Sequence, residues 1–336
     1  MRAVVVREPG SFGVEEVDDP RPGPGEVLVR VRCCGVCGTD VHIAHGEFPP
    51  APYPLIPGHE FCGEVVERGP GAGSLEVGVR VGVDPTLPCG QCGFCQEGHP
   101  NLCERWGAIG DTVSGAFAEL VAVPARNCYP LPAELTDAEG ALIEPLACVL
   151  WAMRRTKPEV GDTAVIFGAG TMGLLLLSVL RRAGVARAAV VDVNPRRLEA
   201  AKRLGARDVV LAGSGAVAAL ADLFPGGAHV VADATGRSAV IQSMLPLARR
   251  GGTVLIFGVT PSGERVEVSP FEIYNRDLTI VGSMAINQTY GAAVRLAPSL
   301  DLKPLLAPPL PLGAYPEVIA GFGQGQRIKV QLDPRA

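Results

Sequence analysis

From residue 163 onward the chain alternates short apolar runs with longer helical patterns. TAVIFG precedes TMGLLLLSVLRRAG, AAVVVDV precedes NPRRLEAAKRLGA and HVVADAT precedes SAVIQSMLPLARRGG, with TVLIFGV and LTIVGSM completing the series. Strands separated by helices of this length pair in parallel, and the helices then cover both faces of the sheet. The middle of the chain is therefore confined to an α/β, doubly wound architecture. Within the first run, AVIFGAGTMG carries a strand directly into Gly168-x-Gly170-x-x-Gly173, with Thr171 and Met172 inside the turn, and then into a helix. A bare glycine triplet means little in a chain with 42 glycines. The strand-turn-helix context gives it meaning: glycines let the backbone approach a pyrophosphate that the helix N-terminus stabilises.

The next strand ends at Asp192, about the distance downstream expected of a carboxylate that binds a ribose 2′-hydroxyl. Asp192 repels a 2′-phosphate and so favours NAD over NADP. Arg196 and Arg197 follow closely and act in the opposite sense, so Arg197 is retained as a candidate cofactor contact. Residues 163–180 are as long and apolar as a minimal membrane span, but three glycines in the first half break any single helix.

Before residue 146 the texture differs. EVLVRVRC alternates, with Val27, Val29, Val31 and Cys33 expected on one strand face and Leu28, Arg30, Arg32 and Cys34 on the other. PRPGPGE, PPAPYPLIPG and RGPGAG then keep the strands short. The final fifty residues are again proline-rich and close on the strand-like IKVQL. At 336 residues the chain suits two domains. The expected order is a β-rich domain over 1–146, an inserted α/β domain over 147–285, and a segment over 286–336 that rejoins the first. A net charge of −5 argues against a nucleic-acid partner. Ten cysteines without a secretory signal point to the cytoplasm and to metal or catalysis rather than disulfides.

PCGQCGFCQEGHPNLC sets Cys89, Cys92, Cys95 and Cys103 at C-x2-C-x2-C-x7-C, within a lobe over 88–104. Four thiolates close a tetrahedral zinc shell with no open position, which makes the site structural. Iron–sulfur ligation uses similar spacings, but neither a second cysteine cluster nor a following Cys-Pro is present. His99, inside the lobe, is expected at the surface.

A second site draws on RCCGVCGTDVHIAHG, IPGHEFCGEV and ALIEPLACVLWA. Cys37, His59, Glu60, Glu144 and Cys148 can surround a zinc with one sulfur, one imidazole nitrogen and one or two carboxylates, leaving an exchangeable position. GVCGTDVHI, IPGHEF, the four-cysteine lobe and GAGTMG occur in the order found in the zinc-dependent medium-chain dehydrogenase/reductase superfamily. The chain resembles that family along nearly its whole length, and IEPLACV is similar to its sorbitol and polyol branch. The resemblance implies a GroES-like catalytic domain interrupted by a Rossmann domain, with two zincs per chain. It makes Cys37, His59 and Glu144 ligands of the catalytic zinc. Glu60 binds directly or through water, and Cys148 is the competing ligand. It further implies that zinc polarises a secondary alcohol of a polyol while hydride passes to NAD. Thr39 takes the hydroxyl proton and passes it through the cofactor ribose toward His42. An amino-alcohol substrate, of the aminocyclitol or L-threonine 3-dehydrogenase type, is the alternative, because loops such as AHGEFPPAPY and SMAINQTY line the cleft. A homodimer or homotetramer is expected, with LTIVGSM as the pairing strand.

Overall fold

A computed structural model describes residues 1–48, 51–324 and 327–336, and the chain divides into two compact units. Met1–Ala147 and Ile286–Ala336 form the first, and Cys148–Ala285 the second. Pro49 and Pro50, in the AHGEFPPAPY loop, lie outside the described residues.

The first unit opens with an antiparallel pair, β1 (Arg2–Glu8) and β2 (Ser11–Glu16). Its main sheet is organised by β3 (Glu26–Gly35), followed by α1 (Gly38–His45), β4 (Glu60–Arg68) and β5 (Arg80–Val83). The short α2 (Gly93–Gln96) lies in the cysteine lobe, and β6 (Leu120–Pro124) and β7 (Cys128–Pro130) follow it. β4 pairs with β3 along one edge, and β6 takes the first half of the other. The short α3 (Asp137–Gly140) and the longer α4 (Ile143–Thr156) lead the chain toward the second unit.

The second unit carries β8 (Thr163–Phe167), α5 (Thr171–Arg182), β9 (Arg187–Asp192), α6 (Pro195–Arg203), β10 (Asp208–Leu211), β11 (Ala228–Asp233), β12 (Ala248–Ile256) and β13 (Thr279–Gly282). Its strands form a parallel sheet in the order β10-β9-β8-β11-β12-β13. The chain winds outward from β8 in one direction and from β11 in the other, so the crevice for a ligand opens between their C-terminal ends. α5 is apolar nearly all round, with Leu174 to Leu180 buried, as a helix covered on every side requires. The more polar α6 starts at Asn194, whose side chain accepts the Arg196 N–H, with Pro195 pre-set for the first turn. The 163–180 stretch is thus strand, turn and helix, and among the described residues no helix is long and apolar enough to cross a membrane.

The chain then returns to the first unit through β14 (Leu310–Pro311) and β15 (Gln331–Asp333). β15 pairs antiparallel with the end of β3, completing a seven-stranded sheet among the described residues.

β3 departs from the simple alternation. Val31 opposes Gly63 while Cys33 opposes Cys62, so Arg32 is an extra residue, a β-bulge. The extra residue exchanges the two faces beyond it. Cys34, rather than Cys33, continues the Val27-Val29-Val31 core, while Cys33 packs with Cys62 and Ala141 in a separate small cluster. Both thiols are fully buried, and burial pushes Cys33 up to about 12 and Cys34 well above the ordinary thiol value. Both therefore stay protonated.

Ile166, at the centre of β8, is completely buried. Ile166→Ala is expected to destabilise the second unit by about 2–5 kcal/mol, read as a lower urea midpoint with an unchanged slope.

Candidate metal centres and nucleotide site

Gly35, the last residue of β3, is the register partner of Glu60, the first of β4. One antiparallel rung therefore brings together Cys37, just beyond β3, and His59, just before β4. The ligand atoms of Cys37, His59 and Glu60 all lie within 4.8 Å of one another. Cys37 is also the N-cap of α1, and its N–H donates to Asp40 Oδ2 at 2.7 Å. That bond fixes the turn from which Thr39 and His42 project. Thr39 Oγ1 is 3.8 Å from Cys37 Sγ. His42 Nδ1, farther along α1 and partly exposed, is 2.7 Å from Glu47 Oε2.

Glu144 comes from a separate segment of the first unit. It lies buried in the first turn of α4, where its charge is among those facing the buried Tyr290 phenol. Burial is the main force holding that phenol well above its ordinary value.

Two side chains that sequence reasoning missed complete the surroundings. Lys329 forms a buried ion pair with Glu60, each side chain only 3% exposed, and also donates to the Val36 carbonyl at 2.9 Å. Burial opposes the ammonium, but the Glu60 and Cys37 charges outweigh it and hold Lys329 above its ordinary value. A lone lysine inside the apolar IKVQL run was the available signal. Asp111 Oδ1 lies 3.0 Å from His59 Nδ1, with Asp40 Oδ1 at 3.9 Å from the same nitrogen. The sequence around Asp111, GAIGDTVSG, reads only as a turn.

Burial pushes the Asp40 carboxyl up to about 7 despite the pull of His59. Burial also opposes a charge on His59, yet the Asp111 carboxylate raises the imidazole well above its usual value. Asp40 Oδ1, Asp111 Oδ1 and His59 Nδ1 are buried without an aligned hydrogen bond. Cys37, His59 and Glu60 bring a thiol, an imidazole and a carboxylate to one place, a donor set that suits a dication. One sulfur, one imidazole and one carboxylate are the donor types of a catalytic zinc site.

The second cluster is local. Cys92 Sγ lies 3.5 Å from Cys95 Sγ and 3.9 Å from Cys103 Sγ, and all four sulfurs are within 4.8 Å of one another. Backbone N–H groups of Gln91 and Cys92 point at Cys89 Sγ at 3.4 Å and hold that thiol down to about 6. Amides aimed at sulfur favour thiolate, the form a metal binds. His99 is exposed and lies outside the cluster.

In the second unit, Gly168 has φ +103°, and a Cβ on Gly173 would sit 1.8 Å from the Gly168 carbonyl oxygen. Only glycine fits either position, and their absence of side chains lets the turn fold against α5. Gly170 caps α5 with no side-chain bond to its first amides, so the N-terminal end of the helix stays open to an anion. Asp192, at the end of β9, accepts from Ala169 N at 2.7 Å and Asn194 N at 2.8 Å, which fixes its carboxylate beside the turn. Thr171 and Met172 occupy the first turn of α5, and Arg197 lies in α6.

Residues 23–133 match the alcohol dehydrogenase GroES-like domain, and residues 171–299 match the zinc-binding dehydrogenase family. The chain is 38% identical to D-altritol 5-dehydrogenase of Agrobacterium fabrum, over 88% of each chain. It is 33% identical to D-arabinitol dehydrogenase 1 of Uromyces fabae, over 99% of this chain and 97% of that one. A crystal structure described as a zinc-binding dehydrogenase from Sinorhizobium meliloti 1021, bound to NADP, superposes with a TM-score of 0.95. It is 36% identical over 99% of both chains.

Removing one partner of a buried ion pair leaves the other charge uncompensated. Lys329→Met is expected to lower stability by about 3–5 kcal/mol in chemical denaturation. Adding Glu60→Gln to that variant should restore much of the loss.

Proposed function

This chain belongs to the zinc-binding alcohol dehydrogenase family, and on that premise we propose that it oxidises a secondary alcohol of a polyol to the ketone with NAD. The observation that carries the reading is the convergence of Cys37, His59 and Glu60 on one buried point. In this proposal Cys37, His59 and Glu144 hold the catalytic zinc, with Glu60 binding directly or through water, and Cys89, Cys92, Cys95 and Cys103 hold the structural zinc. The catalytic work belongs to 1–146 and 286–336, with the zinc lobe over 88–104, and nucleotide binding to 147–285.

Zinc supplies Lewis acidity that makes a substrate hydroxyl easier to deprotonate. The nicotinamide supplies the hydride chemistry. The chain's own residues do the rest. The Thr39 hydroxyl accepts the substrate proton and gives up its own, since it can do both at once. His42, partly exposed on α1 beside Glu47, passes protons to solvent. Lys329 holds the Glu60 carboxylate in place through their buried ion pair. Asp192 binds the ribose hydroxyls and disfavours a 2′-phosphate, while the glycine turn and the open end of α5 take the pyrophosphate. Polyols are preferred on the strength of relatives acting on altritol and arabinitol. The setting is cytoplasmic, where the cysteines stay reduced.

We also propose a homo-oligomer joined through β13. Among the described residues this edge strand pairs only with β12, and it leaves Ile280 42% exposed, with Phe271 and Tyr274 nearby in sequence at 66% and 84%. An exposed apolar edge of this kind is satisfied by a second copy. Light scattering should report a multiple of the chain mass, and Ile280→Asp should shift it to monomer; a native monomer would refute the arrangement.

Metal analysis of the native protein should find two zincs per chain, with Cys37→Ala and Cys92→Ala each losing one. A screen of polyols, aminocyclitols and threonine with NAD and NADP should give NADH from polyols. Turnover of threonine with inert polyols would replace the substrate class, and a preference for NADP would remove the Asp192 role.

A further inference from the structure

We infer that Asp111 is a positioning residue that sets the orientation of His59 toward the metal, an inference that rests on the zinc reading above. A neutral imidazole carries one N–H and one lone pair, and the group facing the first decides where the second points. Asp111 Oδ1 lies 3.0 Å from His59 Nδ1, and each residue is only 6% exposed. Among the described residues neither atom has an aligned hydrogen bond, so each is the other's available match. The carboxylate draws the proton to Nδ1 and leaves Nε2 as the donor nitrogen. The ligand atoms of His59, Cys37 and Glu60 lie within 4.8 Å of one another, so the imidazole already stands at the cluster.

Asp40 is the competing candidate, and the geometry favours Asp111. Asp40 Oδ1 is farther from Nδ1, at 3.9 Å, and its Oδ2 is committed to the Cys37 N–H. Asp40 therefore serves the turn that carries Cys37, and Asp111 serves the imidazole.

The loop around Asp111 is built to hold such a position. Asp111 N and Thr112 N both donate to Ala108 O, at 3.2 and 2.9 Å, and Gly110 N donates to Val113 O at 2.8 Å. Thr112 Oγ1 accepts from Ala108 N at 2.9 Å. The chain just beyond is tied to the residues before His59: Ala116 N donates to Gly58 O and Phe117 N to Pro57 O, each at 2.9 Å. The carboxylate and the imidazole thus stand on two segments stitched to one another, which restricts both.

Supporting groups of this kind typically change metal affinity by about 10–100-fold. The test compares zinc release from native holoenzyme, Asp111→Asn, Asp111→Ala and Asp111→Glu by chelator competition, together with visible spectra after cobalt replacement. We expect Asn and Ala to lose one of the two zincs about 10–100-fold more readily, with altered cobalt bands and partial recovery in Glu. The four-cysteine zinc, retained in every variant, reports an intact fold. Affinity within about twofold of native, with an unchanged cobalt spectrum, overturns the inference while leaving the zinc reading in place. Loss of both zincs together with unfolding in the Asn variant also overturns it, since Asp111 would then be purely structural. If the native chain holds only the four-cysteine zinc, the zinc reading itself fails.

Discussion

Two opposite charges, Glu60 and Lys329, meet inside the first unit with almost no access to water. Each alone would be costly to bury, and together they are tolerated because the pair is close and Lys329 has a further acceptor in the Val36 carbonyl. This contact ties the start of β4 to the segment leading into β15, across 269 residues of sequence. The Val36 carbonyl precedes Cys37, so one ammonium braces the chain on both sides of the candidate metal site. The orientation of Glu60, the wall behind Cys37 and the closing of β15 onto β3 all follow from it.

The second unit rests on a different constraint, one of volume rather than charge. The carbonyl of Gly168 occupies the space that a side chain at position 173 would need. Strand, turn and helix can approach so closely only because those atoms are missing, and the same closeness leaves backbone amides facing outward at the end of α5. Asp192 stands beside that turn because β9 is the immediate neighbour of β8, with its carboxylate accepting the Ala169 amide.

How far the sequence discloses all this depends on the range of the interactions involved. Alternating apolar runs and helical patterns are local, so the parallel sheet and the glycine turn are legible from residues 163 to 282. The proximity of Cys89, Cys92, Cys95 and Cys103 is also local. Cys37 and His59 meet because Gly35 pairs with Glu60, a register that periodicity alone does not specify. The bulge at Arg32 is smaller still, one added residue, yet it exchanges Cys33 and Cys34 between faces and defeats a simple alternation. The partners of Lys329 and Asp111 were illegible for a related reason. They are distant in sequence, and a charge carries no mark of which opposite charge it will find.

The first unit is assembled from two stretches of chain separated by the whole of the second. During synthesis the second unit is contiguous and can complete its sheet as soon as it emerges. The first cannot: β3 lacks its β15 neighbour, and Glu60 lacks its counter-charge, until residues 329 to 333 have left the ribosome. Until then Glu60 remains a hydrated carboxylate on an incomplete sheet. The candidate metal site is thus among the last features of the nascent chain to become dry, long after its cysteine and histidine have been made.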